Sequence, residues 1–249
     1  MSGSQVVVRP VRFTDRVDEV AAFLQLIGLV RRIESTSGGW VELVGDAGMV
    51  ALHDADSALF EHPRGQTYLA FEADDVDDLA TRLRVAGFTD AAVHDEDYGR
   101  VLTVTDPLGQ LLNVDEHADD LYGYRVVVGG APRTGLRVVP VRFADDAAAY
   151  AVFLRALGLS GEPDESFALF EAAGGAHGAV GVHHRHSDLP FPDGPGARVH
   201  LTFVTTEDLA ALAGRLDAAG FASRRTDEEF GSFLDLTDPD GTSVQVHRA

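Results

Sequence analysis

The chain has 249 residues, a length that suits two ordinary domains or one large one, and 45% of them are hydrophobic, which is enough for well-packed cores. No stretch approaches about 18 unbroken apolar residues, so we expect no membrane span. The absence of cysteine excludes disulfides and thiolate chemistry, and the absence of lysine excludes Schiff-base mechanisms. The opening MSGSQVVVRP lacks the basic and apolar regions of a signal peptide, so we expect a cytoplasmic protein.

The acidity of the chain limits its possible partners. The formal net charge of −20 at pH 7 repels phosphate backbones, and no basic stripe offsets it, so we expect no nucleic-acid partner. Such a charge is typical of a solvated acidic surface, although it would also attract a cationic ligand.

The sequence contains a long internal repeat. VRPVRFTDRVDEVAAFLQLIGL (8–29) matches VVPVRFADDAAAYAVFLRALGL (138–159), and DEDYGRVLTVTDPLG (95–109) matches DEEFGSFLDLTDPDG (227–241). A repeat of this length predicts two homologous domains. We place them at residues 1–120 and 137–249, joined by a linker at 121–136 that contains a Gly-Gly-Ala-Pro stretch.

Within each predicted domain the order of elements repeats once more. In the first domain, apolar residues at 3.6-residue spacing predict two helices, which end at Gly28 and near Gly87. The predicted strands of this domain lie at residues 5–13, 29–35, 39–45, 48–54, 67–73, 91–95, 100–105 and 110–116. The second domain follows the same plan, with helices near 147–157 and 207–218. The chain therefore reads as four copies of a β-α-β-β-β module.

Four such modules resemble the vicinal oxygen chelate superfamily, which includes glyoxalase I, bleomycin resistance proteins, fosfomycin resistance enzymes and extradiol dioxygenases. The local marks are two D-P-x-G turns, at 106–109 and 238–241, and the helix ends FLQLIGL and FLRALGL. The resemblance implies an α+β fold in which paired modules form curled mixed sheets around one cleft in each domain.

The resemblance also implies where a metal ion would be held, because the metal enzymes of the superfamily take ligands from four cleft positions. Those positions are occupied here by Val8, Ala51, Tyr68 and Asn113 in the first domain and by Val138, Gly181, His200 and Gln245 in the second. Only His200 is a good ligand, so we expect neither a metal ion nor another cofactor.

Period-2 alternation assigns the two faces of each strand. The uniformly apolar face should lie under the helices, and the mixed face should line the cleft. The ligand-binding side chains predicted in this way are Arg12, His53, Tyr68 and Asn113 in the first domain, and Arg142, His183, His200, Gln245 and His247 in the second. A salt bridge to a nearby acid is the other explanation for the two arginines, and no motif identifies a catalytic residue.

These residues predict metal-independent binding of a small organic molecule, as in bleomycin resistance proteins. The ligand would be a drug or metabolite, and a planar aromatic compound would suit the histidines. The alternative is a metal-dependent lyase, isomerase or dioxygenase with a displaced site in the second domain, where His183, His200 and His247 could converge. A metal-free acid–base catalyst using His200 or Tyr68 is a third possibility. The chain could also form a homodimer.

Overall fold

The computed structural model describes residues 5–56, 62–118, 122–127, 129–184, 199–229 and 231–249. The elements of the first half, in chain order, are β1 (Val6–Val8), β2 (Val11–Thr14), α1 (Val17–Ile27), β3 (Val30–Ser35), β4 (Trp40–Val44), β5 (Met49–Asp54), β6 (Thr67–Tyr68), β7 (Phe71–Ala73), α2 (Val76–Val85), β8 (Ala92–Glu96), β9 (Gly99–Thr105), β10 (Leu111–Glu116) and β11 (Tyr124–Val126).

The second half repeats this order. Its elements are β12 (Arg137–Val138), β13 (Val141–Ala144), α3 (Ala147–Ala156), β14 (Phe167–Glu171), a 3₁₀ turn (Ala172–Gly175), β15 (Ala179–His184), β16 (Val199–His200), β17 (Thr202–Thr205), α4 (Leu209–Ala218), β18 (Ser223–Glu228), β19 (Gly231–Thr237) and β20 (Ser243–Arg248). The third module differs in its described residues, because an isolated bridge between Ser160 and Glu171 stands where the first module has β3.

Each half contains two mixed sheets, which confirms the predicted α+β fold of curled mixed sheets. In the first half the strand orders are β1-β7-β10-β9-β8 and β11-β3-β4-β5-β2-β6, and in the second half they are β12-β17-β20-β19-β18 and β14-β15-β13-β16. One parallel pair lies inside each sheet, for example β7 with β10 and β2 with β5.

The predicted first strand of each half is divided between two sheets. Val6–Val8 pairs with β7, whereas Val11–Thr14 pairs with β5 and β6 of the other sheet. The break falls at Pro10, and the second half breaks at Pro140 in the same way. Proline has no backbone N–H for a sheet ladder, so the chain changes sheets at this point and joins the two modules of each half.

The helices form where the periodicity predicts them. The apolar face of α1 buries Val20, Phe23, Leu24 and Ile27, and the helix ends at Gly28, whose φ of 127° favours glycine. The three other helices begin at an aspartate whose side chain accepts a hydrogen bond from a backbone N–H of the first turn.

The two hydrophobic cores each combine residues of both halves. One core joins the second module to the third and brings α2 against α3, and the other joins the first module to the fourth and brings α1 against α4. The domain boundaries at 120 and 137 stay a prediction, and β11 lies within the segment predicted to be the linker. No helix in the described ranges is long and apolar enough to cross a membrane.

Candidate functional site

The sheets of each half turn one face away from the helices and their hydrophobic cores. We name these two faces the first cleft and the second cleft. Arg12 and Arg142 were predicted to line them, and this prediction is wrong. In β2 the ring of Phe13 contacts His53 on the cleft side, with centroids 5.4 Å apart. Arg12 lies beside Leu52, a residue of the core under α1. The alternation is correct, but the apolar face of these first strands lines the cleft.

The two arginines are buried because each pairs with an aspartate of the opposite half. Arg12 Nη2 lies 3.2 Å from the Asp238 carboxylate, and Arg142 binds Asp106 in the same manner. Both aspartates begin the repeated D-P-x-G turns, and all four side chains are at most 1% exposed. Tyr150 also donates to Asp106, at 3.1 Å. Both arginines therefore form salt bridges, which was the other explanation offered for them.

The second cleft is built around His200, which is almost completely buried at the end of β16. Its Nδ1 lies 2.9 Å from the Thr202 hydroxyl, and its Nε2 lies 3.2 Å from the Ser243 hydroxyl. Burial, aided by the positive charge of Arg12, lowers the pKa of His200 to about 4. The imidazole is therefore neutral at pH 7 and is held at both ring nitrogens.

Next to His200, the cleft side of β19 and β20 presents a line of polar side chains. Gln245 Nε2 donates to Asp235 Oδ1 at 2.8 Å, and Gln245 Oε1 lies 3.2 Å from His247 Nε2. The His247 ring stacks on Phe233, with centroids 4.8 Å apart. Asp235 and His247 are near enough for their charges to affect the pKa of His200. The structure thus brings His200, Gln245 and His247 together, and it adds Asp235, which the sequence analysis missed.

His183 lies on the opposite wall of the second cleft, on β15. Its ring is 5.5 Å from Phe143 and 6.3 Å from Phe167, measured between centroids. At the neighbouring position, an added Cβ on Gly181 would lie only 2.8 Å from the Phe167 ring. A bare glycine is therefore needed there for this ring to cover β15. His183 contributes to an aromatic wall rather than to the polar line of β19 and β20.

In the first cleft, His53 and Tyr68 belong to an aromatic cluster. Tyr68 packs edge-on against Phe13 and donates its hydroxyl to Gln66 at 2.8 Å. His62, which the sequence analysis missed, stacks on Phe13 with centroids 3.8 Å apart. Asn113, the remaining predicted residue, lies on the cleft side of β10, where it is exposed.

The first cleft also holds a buried ion-pair network. The space in this cleft that the centre of a water molecule can occupy is about 50 Å³. Arg9 binds Glu42 at 3.1 Å and also binds Asp115, and Arg32 bridges Glu42 at 3.0 Å and Glu72 at 3.3 Å. Burial works to lower the pKa of Arg9, but Asp115 and Glu42 more than offset it and hold that pKa above its ordinary value. Alternation failed to identify Arg9 because it directly precedes the break at Pro10.

The positions that would hold a metal ion in the superfamily do not form a complete set in either half. Val8 and Val138 are fully buried core residues, and Phe167 covers Gly181. The second cleft offers a different set of donors, the imidazoles of His200 and His247 and the carboxylate of Asp235. Two histidines and one carboxylate are a common ligand set for Fe(II) and related ions. Among the residues that the structure describes, no three such side chains already lie close enough to share an ion.

The fold resembles solved structures of known enzymes over almost its whole length. A catechol 2,3-dioxygenase matches with a TM-score of 0.65 and 14% identity, covering 98% of this chain and 87% of that one. A homoprotocatechuate 2,3-dioxygenase variant from B. fuscum matches at 0.61 and 15%, covering 98% and 72%. The Mn(II)-bound glyoxalase from Novosphingobium aromaticivorans matches at 0.59 and 16%, covering 98% and 83%. No protein-family model and no curated protein matches the sequence.

These comparisons confirm the resemblance stated above: the chain has the vicinal oxygen chelate fold, in tandem. They contradict the expectation of metal-independent binding in the manner of bleomycin resistance proteins. Structures that match the chain almost from end to end are named as a catechol 2,3-dioxygenase, a homoprotocatechuate 2,3-dioxygenase and a Mn(II)-bound glyoxalase. We gave more weight to the missing ligands than to the alternative, a displaced site that includes His200 and His247, and the sequence pattern did not identify Asp235.

Proposed function

We propose that this chain is a metal-dependent enzyme, a dioxygenase or a lyase or isomerase, that acts on a small organic molecule in the second cleft. One observation carries the proposal: a chain that resembles such enzymes from end to end keeps a buried, neutral histidine at one of the superfamily's ligand positions. The neighbouring imidazole of His247 and the carboxylate of Asp235 supply the other donors that a divalent ion requires.

His200, His247 and Asp235 would hold the ion, and the ion would supply Lewis-acid polarisation of a substrate oxygen. In the metal-free protein the hydroxyls of Thr202 and Ser243 each hold one nitrogen of the His200 ring. One hydroxyl must turn away so that its nitrogen can bind the ion, and the other then orients the ring. Hydrogen-bonding neighbours of this kind commonly fix the ring of a ligand histidine.

Gln245 bonds to His247 and to one carboxylate oxygen of Asp235, and Arg224 and Thr226 bond to the other oxygen. Some of these contacts must open before His247 and Asp235 can share an ion.

The walls of the second cleft suit a planar substrate. Phe143 and Phe167 lie around His183 on one wall, and Phe233 lies under His247 on the other. Aromatic rings on both sides favour stacking with a flat ring, and the nearby hydroxyls and imidazoles supply hydrogen-bond partners. We therefore expect a small aromatic compound with oxygen substituents as the substrate.

Calorimetric titration with Mn(II), and with Fe(II) under anaerobic conditions, tests the proposal directly. We expect about one ion per chain, with affinity reduced at least about tenfold by His200→Ala and by Asp235→Asn. Tyr68→Ala is the matched control, because Tyr68 occupies the equivalent position in the first half, and it should leave ion binding unchanged.

The loaded protein should then consume oxygen with a catechol, or convert a glutathione hemithioacetal if the lyase class is correct. Ion binding that persists unchanged in the His200→Ala variant, or no binding of either ion, contradicts the proposal.

A further inference from the structure

We propose that the first cleft is a separate binding site for an organic cation, such as an aromatic amine or a quaternary ammonium compound. This site lies in the opposite half from His200 and involves none of the residues assigned to the ion in the second cleft. It rests on the charge balance, the aromatic lining and a buried unpartnered donor of the first cleft.

The charged side chains of the first cleft do not balance. Three carboxylates, those of Glu42, Glu72 and Asp115, face the two guanidinium groups of Arg9 and Arg32. A further pair at the rim, Arg100 with Glu116, cancels itself. Among carboxylates and guanidinium groups, one carboxylate is therefore in excess, and the Nδ1 atom of His117 lies 3.0 Å from Glu72. Because Glu42 is fully buried and Glu72 is nearly so, water screens this excess charge only weakly.

Aromatic side chains surround the same space. Trp40, Tyr98 and Tyr124 line the cleft together with the carboxylates. The guanidinium carbon of Arg9 lies 5.6 Å from the centroid of the Trp40 ring, so one ring of this lining already contacts a cation. Tyr98 is 46% exposed, so its ring is accessible at the mouth of the cleft. Faces of aromatic rings next to carboxylates are the usual recognition chemistry for ammonium groups.

The two tyrosines indicate the sign of the electric field in the cleft. Burial, reinforced by the charges of Asp115 and Glu96, raises the pKa of Tyr98 to about 12. The pKa of Tyr124 is raised for the same reasons, by burial and then by Asp115. Burial alone carries no sign, but the part of each rise in pKa that comes from Asp115 reflects a negative potential, which favours a cation at the same place.

Arg9 offers a further contact to a ligand in the first cleft. Its Nε is buried and has no hydrogen-bond partner among the residues that the structure describes. An unpartnered buried donor is costly and needs an acceptor. A ligand that carries an oxygen acceptor in addition to its cationic group can therefore gain this contact, while the cationic group alone is enough for binding. An anion fits poorly, because both guanidinium groups are already paired with carboxylates.

Tryptophan fluorescence tests this site, since Trp40 is the only tryptophan of the chain. The protein is titrated with benzyltrimethylammonium at pH 8 and low ionic strength, with benzyl alcohol and benzoate as the neutral and anionic comparisons. We expect a saturable change with the cation alone, with a dissociation constant below about 10 mM.

Two variants and one control assign the binding to the cleft. Asp115→Asn removes the excess charge, and Tyr98→Leu removes a rim ring without touching the buried network. Each should weaken binding about three- to tenfold. Asp217→Asn makes the same change in net charge at an exposed position of α4 and should leave binding of the cation unchanged. The His200→Ala variant should also bind the cation normally.

Circular dichroism shows whether each variant is folded. The proposal is overturned if the cation gives no saturable change, if benzoate or benzyl alcohol gives an equal one, or if the folded Tyr98→Leu variant binds like the wild type. Because the titration uses no metal ion, its failure says nothing about the site around His200.

Discussion

The two clefts occupy equivalent strand positions but contain different chemistry. The strand registers place Glu42 opposite Ala51 and Leu169 opposite Gly181, and they place Glu72 beside Asp115 and Val204 beside His247. Charged residues of the first cleft therefore correspond to apolar residues or histidine in the second. The repeated backbone determines where side chains point, while the function depends on which side chains occupy those positions.

A single position accounts for much of this difference. Arg9 precedes Pro10 in the first half, and Val139 precedes Pro140 in the second; both are buried. A buried guanidinium requires carboxylate partners, which Glu42 and Asp115 provide. A buried valine requires none, so the second cleft can keep neutral histidines in the corresponding region.

The largest expected effect comes from replacing Arg9 by alanine, compared with the same replacement of Val139. Arg9→Ala leaves the Asp115 carboxylate unpaired and removes one of the two partners of Glu42, so we expect a loss of about 3–5 kcal/mol in the free energy of unfolding. Val139→Ala removes only two buried methyl groups and should cost about 2 kcal/mol. Denaturant unfolding of both variants measures the two values. Equal costs would show that the charges of the first cleft do not control its stability.

The second prediction concerns the pH dependence of the metal-free protein. The pKa of His200 falls from its ordinary value of 6.5 to about 4, because burial disfavours the charged ring. Below pH 6.5 His200 binds a proton in the unfolded chain, whereas in the folded chain it stays neutral down to about pH 4. This contribution to stability is therefore complete above pH 6.5 and is lost as the pH falls toward 4, by about 3 kcal/mol in total.

His200→Gln should remove this dependence, and the equivalent exchange in the first half, Tyr68→Phe, should not. Chemical unfolding at several pH values between 4 and 8 gives the comparison. Parallel curves for the wild type and the His200→Gln variant would mean that His200 is not buried as a neutral ring.

Most of the fold could be predicted from the sequence because its signals are local and occur four times. Each predicted strand from 29–35 to 48–54 corresponds to an observed one, and α1 ends at the predicted Gly28. The faces of later strands were also assigned correctly. Glu72 and Gln245 point to the opposite face of the sheet from their neighbours Phe71 and Val246, which are buried under the helices. There, hydrophobic alternation alone decides which side is buried.

The assignment failed where burial depends on a distant partner. We predicted Arg12 and Arg142 to be cleft residues because the sequence of their own strands contains no acidic partner for them. Their partners, Asp238 and Asp106, lie in the opposite half of the chain. The only signal in the sequence was the joint repetition of V-R-F and T-D-P. The candidate ion site was incomplete for a similar reason, because Asp235 joins it only through the pairing of β19 with β20.

The third prediction sharpens the comparison at the equivalent positions Gln245 and Asn113. Gln245→Glu replaces the donor to Asp235 with a second carboxylate, which should destabilise the metal-free protein by about 1–3 kcal/mol. Mn(II) should reverse this loss, because a bound ion stabilises the folded state, by about 2.7 kcal/mol at a hundredfold excess over its dissociation constant. Asn113→Glu lies on an exposed position and should change stability by less than about 0.5 kcal/mol, with or without Mn(II). Thermal unfolding with and without the ion separates these outcomes, and an equal response of both variants would remove the distinction between the clefts.

The smallest expected effect comes from placing a carboxylate of the first cleft into the second. Leu169 occupies the position of Glu42, but it is 37% exposed on β14, at the edge of its sheet, whereas Glu42 is fully buried between β3 and β5. In Leu169→Glu the new carboxylate stays hydrated and needs no arginine, so we expect a loss of less than about 1 kcal/mol in the free energy of unfolding. Denaturant unfolding at low and at high salt measures it. A loss of several kcal/mol would mean that the second cleft is as closed to water as the first. The two clefts would then differ in their side chains alone and not in their access to solvent.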